Sequence, residues 1–279
     1  MKKLIFTFLS YIFFVNLVFS QKLYVAMDDL DNATWSKLQS KGVLECQMVY
    51  GDFIYPKNAM VLNESVFTKE ILRLFPNKTE SGLCILDWEG KVYENLVGRN
   101  VSRVLKDKAQ REFIKAIKLA KSLRPNVKWG FFGLPQDNYD EISEEYLTSI
   151  YALSDVISPA VYLSSPLEGF DKGKMNRSAQ IAKKHNKLLL PVVWDRFNTL
   201  DKKYRQKLMS NSVFVSYTKK LMDFSYNGRA SNGVIYWGRD TWLYLAYKTA
   251  VNEAPSIDAF KTNYSKRVTS NSLNVIGKR

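Results

Sequence analysis

Histidine is almost missing from this chain: His185 is the only one in 279 residues. It lies in the polar run Lys183-Lys184-His185-Asn186-Lys187 at an expected helix end, where a solvent-facing side chain is the ordinary outcome. A single isolated imidazole gives a Ser-His-Asp or Cys-His system nothing to work with and removes the usual His-based zinc sites. Cysteine is nearly as scarce, with Cys46 and Cys84 alone. Each falls just before or within an expected buried strand, where a disulfide and a pair of apolar thiols are both open readings. Gly-rich phosphate loops are absent, and beyond residue 20 no apolar run is long enough to span a bilayer. Neither a metal nor an organic cofactor is implied.

The one long apolar run is at the start. Met1-Lys2-Lys3 leads into Leu4 to Phe19, and Val18 and Ser20 occupy the minus-three and minus-one positions of a cleavage before Gln21. Residues 1–20 therefore read as a secretory signal peptide, with an uncleaved anchor as the alternative. This reading predicts a secreted, extracellular protein that touches no membrane after cleavage. Residues 21–254 suit one large domain, and residues 255–279, polar and basic, read as a trailing tail.

Acidic residues are outnumbered, 27 Asp plus Glu against 41 Lys plus Arg, for a net charge of +14. A secreted protein this basic is drawn to polyanions, although charge alone does not name the polymer and a solvated Lys-rich surface explains it equally well. No zinc-finger, RNA-recognition or basic-zipper pattern is present, so nucleic acid is not the expected partner. Six Asn-X-Ser/Thr sequons, at Asn32, Asn63, Asn77, Asn100, Asn176 and Asn263, would accept glycans in a eukaryotic secretory pathway.

Short apolar runs alternate with amphipathic ones, the pattern of a parallel sheet with crossover helices. Strands are expected near 22–27, 46–50, 83–87, 129–134, 156–163, 188–194 and 233–237, and helices over 64–75, 107–123, 144–153, 174–185 and a longer region, 201–226. The run Leu83-Cys84-Ile85-Leu86-Asp87-Trp88-Glu89-Gly90 is the most telling. Strand alternation puts Asp87 and Glu89 on one side and Trp88 on the other. Two nearby carboxylates oppose each other's ionisation, so one can be kept as an acid while the other stays charged. A salt-bridged strand end is the ordinary alternative. Aromatics recur at other strand ends, among them Tyr50, Tyr162, Trp194, Tyr236 and Trp237. In a parallel barrel these ends share one face, where aromatic rings would form a groove for sugars.

Six motifs, in order, resemble the hyaluronidases of bee venom and sperm, glycoside hydrolase family 56. They are Val49-Tyr50-Gly51-Asp52-Phe53-Ile54-Tyr55-Pro56, Leu86-Asp87-Trp88-Glu89, Leu123-Arg124-Pro125 with Trp129-Gly130-Phe131-Phe132-Gly133-Leu134-Pro135, Pro159-Ala160-Val161-Tyr162-Leu163, Leu190-Pro191-Val192-Val193-Trp194, and Gly233-Val234-Ile235-Tyr236-Trp237-Gly238. The resemblance implies a distorted TIM-like (β/α) barrel of about seven parallel strands. It implies hydrolysis of β-1,4 bonds after N-acetylhexosamine in hyaluronan or chondroitin, with Glu89 as acid and base, Asp87 orienting the substrate acetamide and Tyr162 bonding nearby. Tyr50, Tyr139, Trp194, Arg196, Tyr236 and Trp237 are the expected substrate-binding residues, in a monomer acting on an anionic glycosaminoglycan.

The chain departs from the family in places. Gly90-Lys91-Val92-Tyr93 replaces the family's Trp-Arg-Pro run, the family's tyrosine after Trp-Gly-Phe falls at Asn138 beside Tyr139, and Arg239 stands where serine is common. A non-catalytic glycosaminoglycan-binding barrel and a chitinase-like family 18 hydrolase are the competing readings. The latter's preceding aspartates would fall at Gly82 and Ile85.

Overall fold

The computed structural model describes residues 21–55, 60–136, 141–247 and 253–277. The signal segment and Tyr139 lie outside them. The strands are β1 (Lys22–Met27), β2 (Leu44–Glu45), β3 (Gln47–Tyr50), β4 (Gly82–Asp87), β5 (Val127–Phe132), β6 (Val156–Ser158), β7 (Leu188–Leu189), β8 (Val192–Val193), β9 (Ser225–Tyr226), β10 (Arg229–Ala230) and β11 (Gly233–Gly238). The helices are α1 (Asn32–Gln39), α2 (Gly51–Ile54), α3 (Glu64–Leu74), α4 (Lys91–Val97), α5 (Arg103–Leu123), α6 (Glu141–Leu153), α7 (Lys172–Lys184), α8 (Asn211–Met222), α9 (Asp240–Trp242) and α10 (Ile257–Ile276).

One parallel sheet runs β2-β1-β11-β8 and a second runs β3-β4-β5-β6-β7. The sheets meet inside two continuous segments. In the first, Cys46 separates β2 from β3 and its N–H donates to the Val25 carbonyl at 2.9 Å. In the second, Leu190 and Pro191 separate β7 from β8. There the Leu190 N–H donates to Ile157 at 3.0 Å, while the Pro191 carbonyl accepts from Ile235 at 2.9 Å. Proline has no N–H to give a ladder, which breaks the strand where the sequence expects a continuous 188–194. The result is a distorted TIM-like barrel with its wall divided between two sheets. Pro159 ends β6 earlier than expected.

Alternation along the strands divides the apolar residues into two cores. Ala26, Met48, Leu83, Ile85, Val192 and Ile235 fill the barrel, whereas Val25, Val49, Leu86, Phe131, Val193 and Val234 face the helices. Most helices start at a side-chain cap: Asp31, Asn63, Ser102, Asp171, Ser210 and Ser256 each accept from the third residue on. Ser102 starts α5 four residues before the apolar stripe makes it visible.

Two further expectations fail. The region 201–226 is not one long helix, because α8 occupies only 211–222 and the chain then enters the β9–β10 hairpin. Its turn, Asn227-Gly228, takes φ of 48° and 75°, the left-handed pair that favours Asn-Gly in a two-residue hairpin. Residues 255–279 are not a trailing tail either. Within them α10 buries Phe260, Tyr264, Val268 and Val275 against the barrel's outer layer. Spacings of four and seven keep those residues on one face, and the Ser, Asn and Lys between them dilute the signal.

Candidate active site

The C-terminal end of β4 sets the site. Ile85 and Asp87 share the barrel side of the strand, while Trp88 turns outward and is sealed between Phe113, with ring centroids 4.7 Å apart, and Tyr55 at 5.9 Å. Stacking on both faces fixes the loop that carries Glu89. Gly90 then reverses the chain into α4 with φ 80° and ψ −157°, a conformation almost confined to glycine. Gly90→Ala is expected to lower the unfolding free energy by about 1–3 kcal/mol, measured by urea titration. An unchanged midpoint would mean the turn tolerates a side chain.

Asp87 lies level with Tyr50 across the β3–β4 ladder. Its Oδ1 is shielded from solvent and accepts no hydrogen bond. Burial, Glu89 and then a weaker opposing pull from Arg239 leave the Asp87 carboxyl well above its ordinary range, and burial also raises Glu89. The pair therefore keeps a proton under conditions where free carboxyls have lost theirs. A carboxyl that binds its proton more tightly when folded removes stability as pH rises from 3.8, its ordinary value, into the neutral range. Asp87→Asn should accordingly raise the melting temperature at pH 8 and change it little at pH 4. Equal shifts at both pH values would contradict the buried-acid reading.

Around the carboxylates the barrel mouth is aromatic. Tyr162 stacks on Trp237 at 6.1 Å and 19°, Trp194 meets Trp237 edge-on at 5.3 Å, and Phe132 packs on Tyr162 at 6.3 Å. The Tyr162 hydroxyl and the Trp194 indole N–H are both buried without a hydrogen-bond partner among the described residues. Burial, Asp87 and Glu89 together push the Tyr162 phenol well upward, so it remains a neutral donor. Orphaned donors and acceptors that converge at a cleft are costly unless a ligand engages them.

Glu89, Asp87, Tyr162, Tyr50, Trp194 and Trp237 thus gather at one end of the barrel, and two expected residues do not. Tyr236 faces outward, one position off Trp237, and its hydroxyl donates to Asp195 Oδ2 at 2.6 Å. A strand cannot present neighbouring residues to the same face. Arg196 is 1% exposed and tied to Asp240 at 2.7 Å and Glu253 at 2.6 Å, so it clamps the scaffold. Arg267, from α10, joins the same network through Asp195 at 2.8 Å and through Asp240.

Three further residues border the site. Tyr55 is raised to about 12, by burial first and then by Asp87, Glu89 and Asp52. Asp28, at the end of β1, rises to about 7 because it is buried and stands near Asp29 and Asp240, with Arg239 opposing. Arg239 holds its guanidinium 3.9 Å from the Tyr50 ring centroid. Tyr55 lies within a family motif; Asp28 carries no sequence signal, and Arg239 is visible only as a departure from serine.

Comparison with known proteins fits this geometry. Hyaluronidase-1 of Sus scrofa is 30% identical over 166 residues, 43% of this chain and 38% of that protein. Hyaluronidase Tab y 2.0101 of Tabanus yao is 28% identical over 225 residues, covering 63% and 62%. Hyaluronidase A of Vespa velutina is 21% identical over 272 residues, covering 80% and 74%. Bee venom hyaluronidase superposes with a TM-score of 0.59 at 16% identity, over 86% of this chain and 99% of that one. The chain is similar in sequence to these hyaluronidases and shares the fold of the bee venom protein. Against the first two curated hyaluronidases it spans less than two thirds of their length, and no family model matches it. A second bee venom hyaluronidase structure, with a hyaluronic acid tetramer, superposes at 0.58 and 16% identity. Among the described residues, no group of three or more His, Cys, Asp or Glu could hold a metal, and no helix is long and apolar enough to cross a membrane.

Proposed function

We propose that this protein is a secreted endoglycosidase that cleaves β-1,4 N-acetylhexosaminide bonds in hyaluronan or chondroitin with retention of configuration. The observation that carries the reading is the Asp87–Glu89 pair, raised together at the mouth of a barrel ringed by Tyr50, Tyr162, Trp194 and Trp237. The named hyaluronidase relatives support it.

The chemistry follows from the environment of the pair. An acetamide N–H donated to Asp87 favours its anion, which sends the shared proton to Glu89. Glu89 passes that proton to the glycosidic oxygen as the acetamide carbonyl oxygen attacks the anomeric carbon and the bond to the leaving sugar breaks. The Asp87 anion stabilises the cationic oxazolinium ring beside it. Water then adds to the anomeric carbon, gives its proton to Glu89 and reopens the ring, restoring the acetamide. Tyr162 donates a hydrogen bond near the same group, and the flat aromatic walls pack on the C–H faces of the sugars.

Release of reducing ends from hyaluronan, unsulfated chondroitin and a chitin oligomer, measured from acid to neutral pH, tests the proposal. Cleavage of a glycosaminoglycan sustains it, and the preferred polymer names the activity. A folded protein that binds hyaluronan without cleaving it would be a binding barrel instead.

A further inference from the structure

Arg239 is a cation with a built place and, among the described residues, no hydrogen-bonded carboxylate partner. It follows β11, with its guanidinium stacked on Tyr50 at 3.9 Å and over the Trp242 ring at 4.9 Å. It makes a carboxylate contact with Asp28 Oδ2, 3.9 Å from Nε and beyond hydrogen-bond reach. Nε itself is buried and makes no hydrogen bond. The charge is near enough to Asp87 to draw its carboxyl downward. Arg196 and Arg267 are committed to the buried network.

Two aromatic planes hold the guanidinium in one orientation, which reduces what a ligand must spend in ordering it. A buried N–H with no acceptor is unfavourable, and an anionic ligand would remove that penalty. The planar fork matches a carboxylate through paired hydrogen bonds. Asp28, raised to about 7, is largely neutral in mildly acidic solution and offers such a ligand little repulsion there.

Building on the function proposed above, we propose that Arg239 is the specificity-determining residue that reads an acidic sugar, donating to the carboxylate of a hexuronate next to the N-acetylhexosamine held at Asp87 and Glu89. The cation reaches the site from the residue that follows β11.

The test is direct binding of a hyaluronan hexasaccharide and its carboxyl-reduced counterpart to Glu89→Gln protein, alone and combined with Arg239→Gln or Arg239→Lys. Circular dichroism monitors the fold of each variant. The expected result is a preference of about tenfold or more for the native sugar, the scale of one charge-assisted contact. Arg239→Gln should bring that ratio close to one, and Arg239→Lys should restore part of it. A ratio untouched by Arg239→Gln overturns the inference while leaving the glycosidase proposal standing. Failure to bind either sugar, together with no cleavage of hyaluronan by the unsubstituted protein, overturns both.

Discussion

Glu89→Gln is expected to lower hyaluronan turnover by about a hundredfold to ten-thousandfold, the usual worth of a positioned proton donor, while polymer binding persists. Glutamine keeps the shape of the side chain and its hydrogen-bonding reach but has no acidic proton to give. In substrate-assisted chemistry the same residue must also take a proton from water, so both halves of the reaction stop together. The pH profile carries a second signature. With Glu89 in place the acid limb of kcat/KM reports ionisation of the carboxyl pair, and its other limb reports loss of the proton that Glu89 needs. With glutamine, any residual rate should lose the second limb. A variant with unchanged kcat would show that Glu89 is a solvated strand terminus and that the shared proton has no chemical role.

The second large effect belongs to Arg196. Arg196→Ala is expected to cost up to about 3–5 kcal/mol, because it takes one of two cations from buried Asp240, leaving Arg267, and removes the partner of Glu253. Against the 5–15 kcal/mol typical of a folded domain, such a loss is a large fraction of the total. The Asp240 carboxyl, buried but held below its ordinary range by Arg196 and Arg267, cannot easily escape by taking up a proton. Replacing Arg196 and Asp240 together by apolar residues of similar volume should therefore be milder than the single alanine substitution. Thermal and urea unfolding of the single and double variants measure the difference. A single variant that melts within a degree or two of the parent would refute this account. Loss of the clamp should also weaken the site, since Asp240 immediately follows Arg239.

Much of the site was legible from two regularities. Period-two alternation places Asp87 on the barrel side and Trp88 behind it, and the ordered family motifs assign Tyr50, Tyr162, Trp194 and Trp237 to one mouth. The same alternation, applied to β11, excludes Tyr236 once Trp237 is accepted. Arg196 was harder. An arginine after a strand end reads as substrate-facing until its partners, Asp240 and Glu253, are known, and they lie 44 and 57 residues away. Helix α10 was hidden because its buried stripe sits among Asn, Ser and Thr, so average polarity suggested a tail. Asn227-Gly228, by contrast, was a readable hairpin signal that the apolar pattern of 201–226 overshadowed.

The join between β1 and β11 also sets an order of assembly. Met27 pairs with Gly238 and accepts from the Tyr264 hydroxyl at 2.9 Å across 237 residues of chain. At the usual pace of translation the first strand waits roughly 10–40 s for its neighbour to be made. Until Arg267 follows, Asp195 and Asp240 lack one of their cations. Until β11 is made the nascent barrel lacks a strand that β1 pairs with, and its inner face stays open while the rest of the wall is made.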